Sequence, residues 1–229
     1  MMPFEWNFST PPYDLGELPT LTKEILSVFR DGFGLDGWSS EGVEKVIVRS
    51  SALGLLRDQQ GRTCGYAIYT LPNELLVGSY FLWEESVCLN RDAQGLGLSM
   101  RAIHAVQGIF SDRRVEWLGG RTQNPVVMHR YSQLGPTFPF ANSYAVCDGP
   151  SVVEFLVRNI SGVRDQQNFD RESGICVGAY KRVLGDYPWR ANGTFEEWLT
   201  ARGFDRSRGD AVVVVSMLRA PGRTTTSQR

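Results

Sequence analysis

The chain of 229 residues holds two histidines, His104 and His129, and four cysteines, Cys64, Cys88, Cys147 and Cys176. The cysteines are scattered, with no Cys-x-x-Cys spacing, so no zinc or other metal site is expected. Isolated thiols of this kind read as reduced cysteines in a cytoplasmic protein. No run approaches the ~20 apolar residues that span a bilayer, and the N terminus shows no basic stretch leading into an apolar one. Neither a membrane helix nor a secretory signal is expected. Net charge is −1, from 24 Lys and Arg against 25 Asp and Glu, so no long-range field draws the molecule to nucleic acid or to an acidic membrane. No internal repeat is present. What is left is an ordinary globular composition, 42% hydrophobic and 21% charged, in a chain long enough for one large domain.

The most informative stretch of what is there runs Val87-Cys88-Leu89-Asn90-Arg91-Asp92-Ala93-Gln94-Gly95-Leu96-Gly97-Leu98-Ser99. A strand-like run, Tyr80 to Leu89, enters it, and a helix-like run, Leu98 to Phe110, leaves it. A polar loop with two glycines between a strand and a helix aims several backbone N–H groups at one point, a ready site for phosphate or pyrophosphate. Gly95 and Gly97 let an anion come close to the backbone. The dinucleotide fingerprint would need a third glycine where Met100 stands, and the Gly-Lys-Ser/Thr triplet of the Walker loop is missing. A second strand-like run, Val115 to Gly120, leads to Asn124-Pro125, a capping Asn followed by Pro at the first helical position.

Elsewhere the pattern is coarser. Residues 1–19, rich in proline and aromatics, read as an irregular arm. Leu21, Ile25, Leu26, Phe29 and Phe33 recur at helical spacing before Gly34. Val43 to Val48 fits a helix end or a short strand equally well. Ala52 to Asp58 and Thr63 to Leu71 flank Gln59-Gln60-Gly61-Arg62, a hairpin signal. Leu98, Ile103, Val106, Ile109 and Phe110 form the buried stripe of the helix after the glycine loop. Further on, Ser143 to Cys147 and Gly174 to Tyr180 read as strands and Val152 to Ile160 as a helix. Thr194 to Glu197 reads as a capping box opening a helix to Arg202. Ala211 to Leu218 is nearly all apolar, so it is expected buried on both faces and to complete the main sheet, with residues 148–208 inserted before it. The tail, 219–229, is expected disordered. Strands alternating with helices around a mixed sheet indicate an α/β or α+β sandwich.

Two motifs resemble the GNAT superfamily of acyl-CoA-dependent N-acyltransferases. Asp92-Ala93-Gln94-Gly95-Leu96-Gly97 lies in the register of its Gln/Arg-x-x-Gly-x-Gly/Ala loop, with Asp92 departing at the first position. Asn124, Tyr131, Leu134 and Gly135 match its Asn-x-x-Ala-x-x-x-Tyr-x-x-Leu-Gly-Phe helix, with Val127 in place of Ala and Pro136 in place of Phe. The likeness spans about Thr20 to Gly135 and is strongest over residues 80–135. It implies a single domain over residues 20–218 with a C-terminal elaboration over about 148–208. Its central sheet would be mixed, mostly antiparallel, splayed between the fourth and fifth strands and flanked by helices.

The resemblance also implies a chemistry: transfer of an acetyl or other acyl group from coenzyme A to a primary amine of a small or amino-acid-like acceptor, without metal. Gln94, Gly95, Leu96, Gly97, Leu98 and Ser99 would hold the pyrophosphate, while backbone groups of Val87 and Leu89 would pair with the pantetheine arm, and Asn124 would join the cofactor site. Tyr131 would protonate the departing thiolate. Glu84 or Glu85 would serve as base; successive strand residues point to opposite faces, so only one of them can face the acceptor. Trp38, Phe138, Phe140, Tyr180 and Trp189 are candidates for the acceptor pocket, and homodimers are common in the superfamily. His104 and His129 read as structural or surface residues. Two alternatives stay open: a donor on acyl carrier protein or with a long acyl chain, motivated by Asp92 and the elaboration, and a non-catalytic CoA-binding protein.

Overall fold

The computed structural model describes residues 4–34, 38–140, 149–180, 183–184 and 193–218. In chain order its strands are β1 (Phe4–Ser9), β2 (Ala52–Asp58), β3 (Thr63–Thr70), β4 (Tyr80–Leu89), β5 (Val115–Thr122), β6 (Thr137–Phe138), β7 (Ile175–Cys176) and β8 (Ala211–Met217). Its helices are α1 (Leu18–Phe33), α2 (Ser40–Arg49), α3 (Leu98–Ile109), α4 (Pro125–Leu134), α5 (Gly149–Asn159), α6 (Ser161–Arg164) and α7 (Gly193–Thr200). Among the described residues the strands form one sheet in the order β1-β2-β3-β4-β5-β8-β6, with β7 also paired to β8. Every pairing is antiparallel except β4 with β5.

Alternation along each strand sorts the core into two layers. On one face Leu82, Leu118, Val212 and Val214 pack against Ile103 and Val106 of α3 and Met128 and Tyr131 of α4. On the other face α1 and α2 cover Leu53, Leu55, Tyr66 and Ile68, while α5 covers Phe81, Trp83, Trp117, Val213 and Val215. β8 thus feeds both layers and is buried throughout Ala211–Ser216, as its apolar run anticipates. Gly34, at φ 67°, ends α1, and Gly61, at φ 77°, turns the β2–β3 hairpin, both conformations that favour glycine. No described helix is long and apolar enough to cross a membrane.

Three expectations change and one open reading is settled. The N-terminal arm is not irregular over residues 4–9: Phe4, Trp6 and Phe8 alternate with Glu5, Asn7 and Ser9 in an edge strand paired from Phe4↔Asp58 to Ser9↔Leu53. Val43 to Val48 lies in a helix, whose start Ser39 caps by accepting from the Gly42 N–H. The strand expected over Gly174–Tyr180 shrinks to Ile175–Cys176, because Gly174 and Gly178, at φ 69° and 67°, turn the chain on either side. Thr194 lies inside α7, so the capping box does not form the helix start there. The strand expected over Ser143–Cys147, Trp189 and the tail lie outside the described residues.

Candidate active site

β4 and β5 pair in parallel from Tyr80↔Val115 to Glu84↔Gly120 and then part. Beyond that point β4 runs on to Leu89 paired with β3, and β5 to Thr122 paired with β8. A bulge accompanies the parting: Ile68 faces Ser86 and Tyr69 faces Glu84, so Glu85 is an extra residue on β4. A bulge bends its strand and increases the twist, which turns β4 away from β5. The opening is a cleft of about 480 Å³. Phe29, Phe33 and Trp38 wall it from the α1–α2 face, and Asn124 and Val127 from the α4 face.

The glycine loop closes the end of β4. Arg91–Ala93 form one 3-10 turn, capped by Asn90, whose Oδ1 accepts the Ala93 N–H at 3.1 Å. Asp31 at the end of α1 accepts the Arg91 N–H at 2.8 Å, and Trp6 of β1 donates to the Leu98 carbonyl at 2.9 Å, fixing the loop from both sides. Gly95 and Gly97 take φ of 77° and 71°. The N–H groups of Gly95, Leu96, Gly97, Leu98 and Ser99 meet no acceptor among the described residues. Gln94 differs from this set, since its backbone N–H donates to Arg91 O and its Nε2 to Leu89 O. Leu89 is committed too: its carbonyl takes that bond and its side chain packs with Ala93 and Leu98 under the loop. Val87 lines the cleft. Asp92, the departure from the family pattern, is exposed and lines a separate polar cavity with Arg62 of the β2–β3 turn, away from the cleft.

The two glutamates part company at the bulge. Glu84 points to the α3–α4 face and is buried against Arg130, with which it forms an ion pair. Tyr69 adds a long hydrogen bond to Glu84 at 3.4 Å. Tyr131 is fully buried, and its hydroxyl ends directly beneath Gly120, where any side chain would collide with it. The Arg130 guanidinium lies 5.1 Å from the Tyr131 ring centre, yet no group stands in hydrogen-bond geometry to the hydroxyl among the described residues. Burial first, and the Glu84 carboxylate second, hold the Tyr131 hydroxyl's pKa well above the usual tyrosine value. Tyr131 thus stands at the apex as a protonated donor, one layer under the cleft lining.

Glu85 points to the α1–α2 face and is exposed in the cleft. Its carboxylate accepts from Thr70 Oγ1 at 3.0 Å and Trp83 Nε1 at 3.2 Å. The protein walls around it raise its pKa above the ordinary glutamate value, with those two hydrogen bonds opposing the shift. Arg121 lines the same cleft from β5, its Nη1 donating to Gly162 O at 2.6 Å and its guanidinium 4.8 Å from the Tyr180 ring centre. Neither Arg130 nor Arg121 is singled out by the motifs; Arg130 stands beside Tyr131 in sequence, and Arg121 directly follows the two glycines of β5.

Other candidates lie elsewhere. His104 and His129 are exposed, as expected. Phe138 is buried against α5 and Phe140 packs on Phe195 and Trp198, 4.6 and 5.2 Å between ring centres, so only Trp38 and Tyr180 of the described aromatic candidates reach the cleft. Asn124 is placed at the cleft, where its side chain also caps α4 by accepting the Val126 N–H at 2.9 Å. Among the described residues no cluster of His, Cys, Asp and Glu could hold a metal ion.

No protein-family model and no curated protein matches the sequence. Among solved structures the chain is similar to a protein described as a phosphinothricin N-acetyltransferase, with a TM-score of 0.51 at 8% identity, over 94% of this chain and 100% of that one. It is also similar to the NatB acetyltransferase complex bound to a bisubstrate inhibitor, with a TM-score of 0.51 at 12% identity, over 93% of this chain and 90% of that one. At such identities the shared property is the fold.

Proposed function

We propose, from the GNAT fold that this chain shares with those acetyltransferases, that it is an acyl-CoA-dependent N-acyltransferase acting on a primary amine. The observation that carries this reading is the parting of β4 from β5 after Glu84↔Gly120, with five unsatisfied N–H groups at the end of β4. Unpaired strand edges and unsatisfied amides are costly unless a ligand or water meets them. An acyl-CoA offers both complements: a pyrophosphate for the Gly95–Ser99 amides at the start of α3, and a pantetheine arm whose amides add to the free edge of β4 near Val87 like one more strand.

When bound, the acyl-CoA supplies the thioester. Glu85 takes a proton from the amine, its raised pKa bringing it nearer the working pH. Tyr131 gives its proton to the departing sulfur; among the described residues its hydroxyl has no hydrogen-bond partner. Glu84, buried in its ion pair with Arg130, positions the apex. Asn124 sits on the α4 wall beside the cofactor arm.

Thermal denaturation with acetyl-CoA tests the reading. Ligand at 100 times its dissociation constant stabilises a fold by about 2.7 kcal/mol. The wild type is expected to show such a shift and Gly97→Glu to lose it, because the new side chain puts negative charge beside the pyrophosphate site. Transfer to an amine, followed by thiol release, is expected to fall at least 100-fold in Tyr131→Phe, the lower bound of the about 10²–10⁴ that general acid catalysis contributes. No stabilisation by any CoA ester would reject the pyrophosphate site and favour a carrier-protein donor.

A further inference from the structure

Glu85 and Arg121 are the first residues past the last β4–β5 pair, one on each strand, and both point to the face that carries α1, α2 and α5. Their charges act on each other across the opening, yet they form no ion pair. Each is held in place by its own neighbours. Thr70 and Trp83 orient the Glu85 carboxylate, while Gly162 O and the Tyr180 ring clamp Arg121. Tyr180 is itself anchored, its hydroxyl donating to the Arg121 carbonyl at 3.0 Å. One Nη1 bond to Gly162 O leaves most of the five guanidinium N–H groups for a ligand, with the Tyr180 side chain as their other polar neighbour. Beside this pair stands an aromatic wall: Phe29 lies 4.9 Å from Phe33 and 5.6 Å from Trp38 between ring centres, and all three remain half-exposed.

A fixed anion, a fixed cation and an apolar wall around one opening describe a ligand with an ammonium, a carboxylate and an apolar group. We infer that the acceptor is a free amino acid with an aromatic or bulky apolar side chain, its ammonium on Glu85, its carboxylate on Arg121 and its side chain on Phe29, Phe33 and Trp38. A polycationic amine would meet repulsion from Arg121, and a peptide N terminus brings an amide where Arg121 presents N–H donors to an anion. In the reaction the ammonium gives one proton to Glu85, the amine nitrogen bonds to the acyl carbon and the C–S bond breaks; the thiolate takes a proton from Tyr131, and the second nitrogen proton leaves to water, from which the Tyr131 phenolate is reprotonated. This specificity rests on the acyltransferase reading above, although amino-acid binding itself does not require transfer.

The test compares L-phenylalanine, L-phenylalaninamide, phenethylamine and glycine, with acetyl-CoA as donor and thiol release as readout. Calorimetric titration of each compound without donor runs in parallel. Phenylalanine is expected to exceed the amide and phenethylamine by about 100-fold in kcat/KM, the value of a charge-assisted hydrogen-bonded pair, and to exceed glycine through the wall. In Arg121→Met the ratio of phenylalanine to phenethylamine should collapse toward one. Equal turnover of phenylalanine and phenethylamine by the wild type overturns the inference and leaves the acyltransferase reading standing. Carboxylate-dependent binding of phenylalanine with no thiol released from any acyl-CoA upholds the site and rejects the transfer reading. Absence of both binding and turnover with phenylalanine overturns the inference, as does equal turnover of glycine.

Discussion

Glu84 and Glu85 are adjacent in sequence and opposite in fate. The alternation of a strand foretells that only one can face the acceptor, but the side is set by register and by the bulge, which depend on how β3 pairs. Arg130 was equally illegible: a charge in the buried stripe of α4 contradicts the amphipathic pattern until Glu84 is known to meet it across the sheet. A buried pair of this kind gives little net stability, but removing one partner strands the other, which suits a positioning role better than a proton-transfer one. Glu85 carries the testable consequence. Its folded-state pKa lies above 4.5, chiefly because the protein walls around it displace water, while the Thr70 and Trp83 hydrogen bonds and then Arg121 oppose the shift. As a base it must be unprotonated, so below that raised pKa the wild-type log kcat/KM is expected to fall one unit per pH unit more steeply than that of Glu85→Gln, in which only the acceptor amine titrates. Identical slopes would remove Glu85 from the proton path. The same shift has a stability sign: the folded state binds this proton more tightly than the unfolded chain. The contribution is therefore present at low pH and is lost as pH rises past 4.5 and through the raised value.

At the scale of elements, legibility followed how local the determinants are. The glycine loop, the hairpin at Gly61 and the Asn124-Pro125 helix start are written in single residues with one physical use each, and all three appear where the sequence puts them. β1 was missed because six residues between prolines carry too short an alternation to outweigh composition, and only pairing with β2 settles it. α2 was ambiguous because Val43, Val46, Ile47 and Val48 favour strands, and burial of Val43 and Ile47 against α1 and β3 overrides that preference. One glycine gains meaning only at this scale. Gly32 lies in the last turn of α1, where a Cβ would collide with the Cys88 sulfur and stand 2.6 Å from the Leu89 carbonyl oxygen. The helix can pack this close to β4 only without a side chain. Gly32→Ala is expected to cost about 1–3 kcal/mol by overpacking, more than offsetting the helical preference of alanine, and to weaken acetyl-CoA binding by displacing the end of β4 that leads into the loop. Urea denaturation and the acetyl-CoA thermal shift measure the two effects; a variant as stable as wild type would show that α1 can shift without consequence.

For the molecule as a whole, the question is whether the C-terminal third is an attachment or part of the core. The chain leaves the sheet after β6, forms α5 and α6, touches it again in the two-residue β7, forms α7, and returns as β8 between β5 and β6. That return was legible, because an uninterrupted run such as Ala-Val-Val-Val-Val finds two buried faces only inside a sheet. Of what lies between, the helix over Val152–Ile160 was legible as α5, but its placement was not, since it follows from the surface it covers. α5 places Val152, Val153, Phe155 and Leu156 against Phe81, Trp83, Trp117, Val213 and Val215. Burying four such side chains is worth about 1.5–3 kcal/mol each, roughly 6–12 kcal/mol together before chain entropy is counted, comparable with the about 5–15 kcal/mol that holds a whole domain. α5 therefore cannot lift off while the strands beneath it stay folded: its departure would expose the apolar face of β4, β5 and β8 that it covers. Native-state hydrogen exchange is expected to give amides in the middle of α5 an opening free energy within about 1 kcal/mol of those in β4 and β8, the signature of one cooperative unit. Exchange from α5 at several kcal/mol less would mark the elaboration as a separately opening layer, and would make its motion, instead of the rigid sheet, the control on access to Arg121.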